Sequence, residues 1–184
     1  MDTKNAKFGT KAIHGGIEPD ESTGAIMTPI YQTSTYVQSE VGKHKGYEYS
    51  RTLNPTRDAL EKNLAAIENG KYGAAFASGL AAIDAMLKML NPGDEVVSTN
   101  DLYGGTFRIF KSIFEKFGIA FQPVSMHDVS SDEQDIRATP PLIWVETPTN
   151  PMLNIIDIKA MSELAKKHDV MLGVDNTFAT PYLQ

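Results

Sequence analysis

From Gly73 onward, short apolar runs alternate with segments in which apolar residues return every three or four positions. The runs are 74–77, 95–98, 119–124, Leu142–Glu146 and 170–175. Between them, one segment carries Leu80, Ile83, Leu87 and Leu90, a second Phe107, Phe110, Phe114 and Phe117, and a third Ile158, Met161, Leu164 and Ala165. Apolar spacing of three and four is one face of a helix, and a short continuous apolar run is a strand covered on both sides. Strands alternating with helices predict crossover units, hence an α/β fold with a mainly parallel sheet flanked by helices. Ligands in such folds bind beyond the carboxyl ends of the strands. The residues that follow the runs are therefore the ones to inspect: Ser78-Gly79, 100–105, 146–150 and 175–177.

The first part of the chain has no such rhythm. Gly15-Gly16, Pro19, Gly24, Pro29 and Gly42 interrupt it, and Tyr31, Tyr36, Tyr47 and Tyr49 add aromatic surface without a period. This pattern predicts an extended arm over 1–55 that covers a neighbouring subunit, followed over 56–184 by the first part of the α/β domain. Helical order starts at Asn54-Pro55, a good N-cap followed by a residue suited to the first helical position. Leu60, Leu64 and Ile67 share a face there, and Asn69-Gly70 ends the segment.

Composition narrows the chemistry. Of 184 residues, 41% are hydrophobic and 22% charged, a globular balance. No apolar run approaches the ~20 residues of a membrane-spanning helix, and the first residues lack the apolar core of a secretory signal. A cytoplasmic protein is expected. The net charge of −6 disfavours nucleic acid as a partner. The absence of cysteine excludes disulfides, thiolate metal sites and a cysteine nucleophile. His14, His44, His127 and His168 are scattered without metal-ligand spacing, so no metal is expected.

Several residues at the strand ends could carry chemistry. Ser78-Gly79-Leu80 stands where a run feeds a helix; a helix start offers free N–H groups to a phosphate, although an ordinary N-cap reads the same way. Asp175 closes an apolar run, and a buried carboxylate there needs a partner such as a protonated ring nitrogen, or else it caps the Asn176-Thr177 turn. Tyr103, followed by Gly104-Gly105, can present its ring to a flat ligand and exchange a proton, or simply pack on a helix start. The loop 146–151 holds two prolines and Asn150, which can both donate and accept. Arg51, with Tyr49 beside it, could clamp a phosphate or could lie in solvent. Neither a dinucleotide-type nor a P-loop glycine motif is present.

Taken in order, these segments resemble the Cys/Met-metabolism, or trans-sulfuration, family of pyridoxal-phosphate enzymes. The resemblance runs from Gly9-Thr10 and His14-Gly15-Gly16 through Pro29-Ile30-Tyr31-Gln32-Thr33-Ser34 to Asp175-Asn176-Thr177-Phe178. Its specific parts are Tyr49-Ser50-Arg51-Thr52-Leu53-Asn54-Pro55-Thr56 and Glu146-Thr147-Pro148-Thr149-Asn150-Pro151. It implies the large domain of a fold-type-I enzyme with pyridoxal 5'-phosphate as cofactor and a small sulfur amino acid as substrate. It also implies a homo-oligomer, a tetramer with active sites shared by dimers. Tyr49 and Arg51 are then expected at the cofactor phosphate of a neighbouring subunit, and Ser78, Gly79 and Leu80 at the phosphate of their own. By the same resemblance Tyr103 stacks on the pyridine ring and helps move protons, Asn150 lies near the phenolic oxygen, and Asp175 pairs with the pyridine nitrogen with Thr177 close by.

None of the thirteen lysines stands in the S-x-x-K-type context that carries the family's covalent lysine. The expectation is a fragment of a longer protein, inactive alone, with that lysine and the substrate-carboxylate arginine beyond Gln184. Gly105 stands where methionine γ-lyases typically carry a cysteine, and Tyr103-Gly104-Gly105-Thr106 reads as in cystathionine γ-lyases and γ-synthases. That pair of activities, by γ-elimination or γ-replacement, is the expected one. O-acylhomoserine sulfhydrylase, methionine γ-lyase and cystathionine β-lyase are the alternatives inside the family. A different fold-type-I enzyme, such as an aminotransferase, and a non-catalytic binding or accessory subunit are those outside it.

Overall fold

A computed structural model describes residues 3–127 and 140–184. Two compact units result, Met1–Ala75 and Phe76–Gln184.

The first unit is built around two helices. In it α1 (Phe8–His14) packs along α2 (Pro55–Ile67), so the segment expected to be wholly extended contains a helix. The contact is close because two glycines face α2. A Cβ on Gly15 would stand 2.6 Å from the Lys11 carbonyl oxygen and 3.0 Å from Ala66 Cβ; one on Gly16, where φ is +69°, would stand 2.5 Å from the Lys62 carbonyl oxygen. Asn63 donates to the carbonyl oxygens of Lys11 (3.1 Å) and Gly15 (2.9 Å) and so closes the end of α1. The expected cap is present: Asn54 Oδ1 accepts the Thr56 N–H at 2.9 Å, and Pro55 opens α2. At the other end Asn69, not Gly70, takes the left-handed conformation, with φ of 52°. Chain 71–75 then returns along α2, where Glu61 accepts the Ala75 N–H at 2.9 Å. That return carries the unit to Ala75, past the arm boundary expected at 55. No residue of α2 is buried, and Leu60 and Leu64 are exposed.

Among its described residues, the second unit holds a four-stranded, all-parallel sheet in the order β2-β1-β3-β4. Its strands are β1 (Glu95–Thr99), β2 (Ala120–Val124), β3 (Leu142–Glu146) and β4 (Met171–Asp175). Helices α3 (Gly79–Leu87), α4 (Gly104–Ser112) and α5 (Ile158–Lys167) connect or flank them. Successive side chains of a strand point to opposite faces, and the two faces have separate cores. Val97, Ile143 and Val145 pack with Met161, Leu164 and Ala165 of α5. Val96, Leu142 and Trp144 pack with Ile83 and Leu87 of α3 and Ile109 and Phe110 of α4. Central β3 is buried at every position.

Two expectations fail here. Residues 74–77 form no strand: the run is mostly alanine, is largely exposed, and crosses the border of the two units without a hydrogen-bonded neighbour among the described strands. The four phenylalanines do not share one buried face. The α-helix stops at Ser112 and a 3-10 turn, Phe114–Phe117, follows, which changes the rotation per residue. Phe110 and Phe114 are buried, whereas Phe107 and Phe117 are exposed. Leu80 likewise lies near the surface although Ile83 and Leu87 do not.

Candidate functional site

The carboxyl ends of β1, β3 and β4 meet around a cavity of about 150 Å³. Tyr103 enters it from the loop after β1, Glu146, Pro148 and Asn150 from the end of β3 and its loop, and Asp175, Thr177 and Phe178 from the end of β4. Four of the expected site residues therefore meet: Tyr103, Asn150, Asp175 and Thr177. The local sequence explains how. Strands β3 and β4 pair in register, with Glu146 opposite Asp175, so both carboxylates leave the same face at the same level. Asp175 turns its Oδ1 to Thr177, accepting its N–H (3.1 Å) and its hydroxyl (2.5 Å), an arrangement that holds the carboxylate across the β4 turn.

Tyr103 is the N-cap residue of α4, and its ring lies half-exposed against Gly105. A Cβ on Gly105 would stand 2.3 Å from Tyr103 Cε1, so any other residue there would displace the ring. The loops after β1 and β3 exchange carboxylates. Asp101, after β1, accepts the Thr149 hydroxyl and, at 3.0 Å, the Met152 N–H. Glu146, at the end of β3, accepts the Tyr103 N–H, at 3.1 Å through Oε1 and 2.9 Å through Oε2. Thr149 in turn accepts the Asn154 N–H at 2.9 Å, which closes the loop that carries Asn150.

Glu146 was named within its loop but given no role by sequence reasoning. It is only 4% exposed. Burial, partly offset by the Tyr103 N–H and reinforced by the negative charge of Asp175, pushes its carboxyl up to about 7. The available signal was a glutamate ending an otherwise wholly apolar run, Leu142-Ile143-Trp144-Val145.

The remaining expected residues lie elsewhere. Ser78 caps α3, its hydroxyl accepting the Ala81 N–H at 3.1 Å, and with Gly79 and Leu80 it stands outside the cavity lining. A Cβ on Gly79 would meet nothing within 4 Å, so the space before this helix start is open. Tyr49 and Arg51 belong to the first unit, where the Arg51 guanidinium lies 4.9 Å from the centre of the Tyr49 ring. Among the described residues no group of three or more acidic or histidine side chains could hold a metal, and no helix is long and apolar enough to cross a membrane.

The fit to pyridoxal phosphate can be tested on these features. A cavity of this size takes a benzene-sized ring; this one offers a carboxylate, an aromatic ring and an amide to it. The start of α3, with open space before it, suits an anion. The residues fit the group.

A parallel sheet flanked by helices, with a carboxylate pair and an aromatic ring at its strand ends, is the large-domain class of fold-type-I pyridoxal-phosphate enzymes. Known proteins make this specific. The family model described as "Cys/Met metabolism PLP-dependent enzyme" matches residues 9–184, and the chain belongs to that family. It is 51% identical to a cystathionine γ-lyase of Bacillus subtilis (strain 168), over 95% of this chain and 46% of the relative. It is 49% identical to a probable cystathionine γ-synthase of Herpetosiphon aurantiacus, over 96% of this chain and 56% of the relative. Among solved structures, cystathionine γ-lyase from Lactobacillus plantarum complexed with L-serine superposes with a TM-score of 0.91 at 48% identity, over 96% of this chain and 46% of that one. The chain spans about half the length of the curated relatives it matches.

Proposed function

We propose that the intact protein to which these residues belong uses pyridoxal phosphate to make or break the γ-carbon–sulfur bond of a sulfur amino acid, as a cystathionine γ-lyase or γ-synthase. The observation that supports this most is the single cavity lined by Tyr103, Asn150, Asp175 and Thr177. Relatives at 49–51% identity carry the names γ-lyase, γ-synthase and β-lyase, so identity alone does not rank them. Gly105 favours the γ-lyase/γ-synthase pair over methionine γ-lyase: the Tyr103 ring fills the space a side chain there would need.

Bound pyridoxal phosphate supplies an electron sink for the substrate's α-carbon. The chain's own residues would hold and tune it. The Asp175 carboxylate, fixed by Thr177, would keep a proton on the pyridine nitrogen, since a nearby negative charge favours the protonated ring. Asn150 would hydrogen-bond the phenolic oxygen. The N–H groups at the start of α3, at Gly79 and Leu80 beside Ser78, would hold the phosphate; the first N–H groups of a helix have no acceptor inside it. The Tyr103 ring would cover one face of the pyridine, and its hydroxyl would move protons at the substrate's β- and γ-positions. Tyr49 and Arg51 would reach the phosphate bound by a neighbouring subunit, which makes the enzyme a homo-oligomer, a tetramer on this reading, working in the cytoplasm. The covalent lysine and the substrate-carboxylate arginine are not among the cavity's residues.

The test uses the intact protein. With pyridoxal phosphate it should turn yellow and release ammonia and a 2-oxo acid from cystathionine; a synthase would instead consume an O-acylhomoserine together with cysteine. Asp175→Asn should abolish turnover far more than cofactor binding. Wild-type turnover in that variant would remove Asp175 from the pyridine nitrogen.

A further inference from the structure

Tyr103 and Asp175 reach the cavity from different strands, and one side chain touches the setting of both. We propose that Glu146 is a positioning residue that works as a neutral, protonated carboxyl: it fixes the start of α4, and with it Tyr103, and leaves Asp175 as the anion of the pair. The first half of this stands on geometry. Both Glu146 oxygens lie within 3.1 Å of the Tyr103 nitrogen, and Tyr103 is the residue from which α4 begins. No side chain of Tyr103 itself anchors the helix start. Glu146 therefore ties β3 to the loop after β1, across 43 residues of sequence.

The second half follows from register. Glu146 and Asp175 are opposed on neighbouring strands and line the same cavity. Two carboxylates so placed disfavour double ionisation. Their surroundings decide which keeps the proton. Asp175 accepts two bonds from Thr177 and is only partly buried. Glu146 also accepts two N–H groups, those of Tyr103 and Asn150, but it is buried, and both charges that act on it, Asp175 on β4 and Asp101 after β1, are negative, which outweighs them. The remaining titratable residue of the cavity lining is Tyr103, on the loop after β1. The carboxyl pushed up to about 7 is accordingly Glu146. For Asp175 to serve as anionic partner of a pyridine nitrogen, the proposal rests on the functional reading above; the proton on Glu146 does not.

The apo protein separates the two. Trp144 is the one tryptophan of these 184 residues, is buried, and stands two residues before Glu146 on the same face of β3; in the intact protein its emission is isolated as the part lost in Trp144→Phe. Its emission in the cofactor-free intact protein should titrate with a midpoint near the 7 expected for Glu146, and Glu146→Gln should abolish that transition. Glutamine keeps an acceptor for the Tyr103 N–H but cannot ionise. In the loaded protein, the ratio of kcat/KM of Glu146→Gln to wild type should change as pH passes that midpoint, because only the wild type changes charge there. Glu146→Ala, which loses the acceptor, should lower kcat about 10- to 100-fold with a smaller change in KM, as expected for a misplaced reacting group. Glutamine should recover most of that loss near pH 6. A Trp144 transition that survives in Glu146→Gln overturns the proposal. So does a flat kcat/KM ratio across the same pH range. If the apo titration behaves as described while no carbon–sulfur activity is found, the functional reading fails and the proton assignment stands.

Discussion

A methyl group added at Gly173 tests the packing beneath the site. Gly173 is the middle residue of β4, directly opposite Trp144 of β3. A Cβ there would stand 2.8 Å from Trp144 Cε3, 3.1 Å from Cζ3 and 3.0 Å from the Met86 methyl. Carbon atoms prefer about 3.5–4.0 Å. The methionine end can swing aside, since Met is flexible. The indole cannot: it is 3% exposed and meets the Phe110 ring edge-on at 6.3 Å. Relief therefore requires the ring or strand β4 to move. Overpacking of this kind costs about 1–3 kcal/mol. Removing glycine's freedom in the unfolded chain returns about 0.4–1 kcal/mol. Gly173→Ala should thus destabilise the intact, cofactor-loaded protein by about 1–2 kcal/mol, and Gly173→Val by more. Urea unfolding followed by far-ultraviolet circular dichroism measures it, read as a lower midpoint at unchanged slope. A double-mutant cycle sharpens the reasoning. Trp144→Phe removes the fused ring that the methyl would strike, so Gly173→Ala should cost about 1 kcal/mol less in that background. Equal costs in the two backgrounds, or no cost in either, would refute the claim that indole and strand are in contact at Gly173.

Two further outcomes follow chiefly from burial. Leu87 is fully buried at the end of α3 against the β1–β3 face, so Leu87→Ala should lower stability by about 2–5 kcal/mol in the same unfolding assay. The folded chain holds a proton on Glu146 up to about 7, whereas the unfolded chain releases it near 4.5, so stability is lost as pH rises through that window. The loss from this group is about 3 kcal/mol, and the wild-type-minus-Glu146→Gln difference in urea midpoint between about pH 5 and pH 8 should show it.

The same residues mark what could be read before the fold was known. The alternation of apolar runs and helical faces was enough for a parallel α/β sheet, because a strand covered on both sides has to be apolar throughout, as Leu142-Ile143-Trp144-Val145 is. Four strands lie where the runs at 95–98, 119–124, Leu142–Glu146 and 170–175 put them, to within a residue or so. The caps at Asn54 and Ser78 were legible because a cap is a local bond between neighbours. The run at 74–77 failed for the complementary reason: a strand exists only with a partner, and its own composition cannot supply one. Phe117 failed because a helical face is extrapolated only as far as the helix goes, and α4 stops at Ser112; Phe107, inside α4, lies outside the face that buries Thr106, Ile109 and Phe110.

Sequence alone determined the alternation, the caps and the glycines and carboxylates available at the strand ends, since each depends on residues a few positions apart. Tertiary structure decided the rest. The strand order β2-β1-β3-β4 and its register put Glu146 beside Asp175 and Trp144 over Gly173, and folded Asp101 onto the loop that holds Asn150. A period of two tells which face a residue takes, but not which strand will lie next to it. Burial at the end of β3 pushes the Glu146 carboxyl up, and the neighbour that the register supplies adds to it.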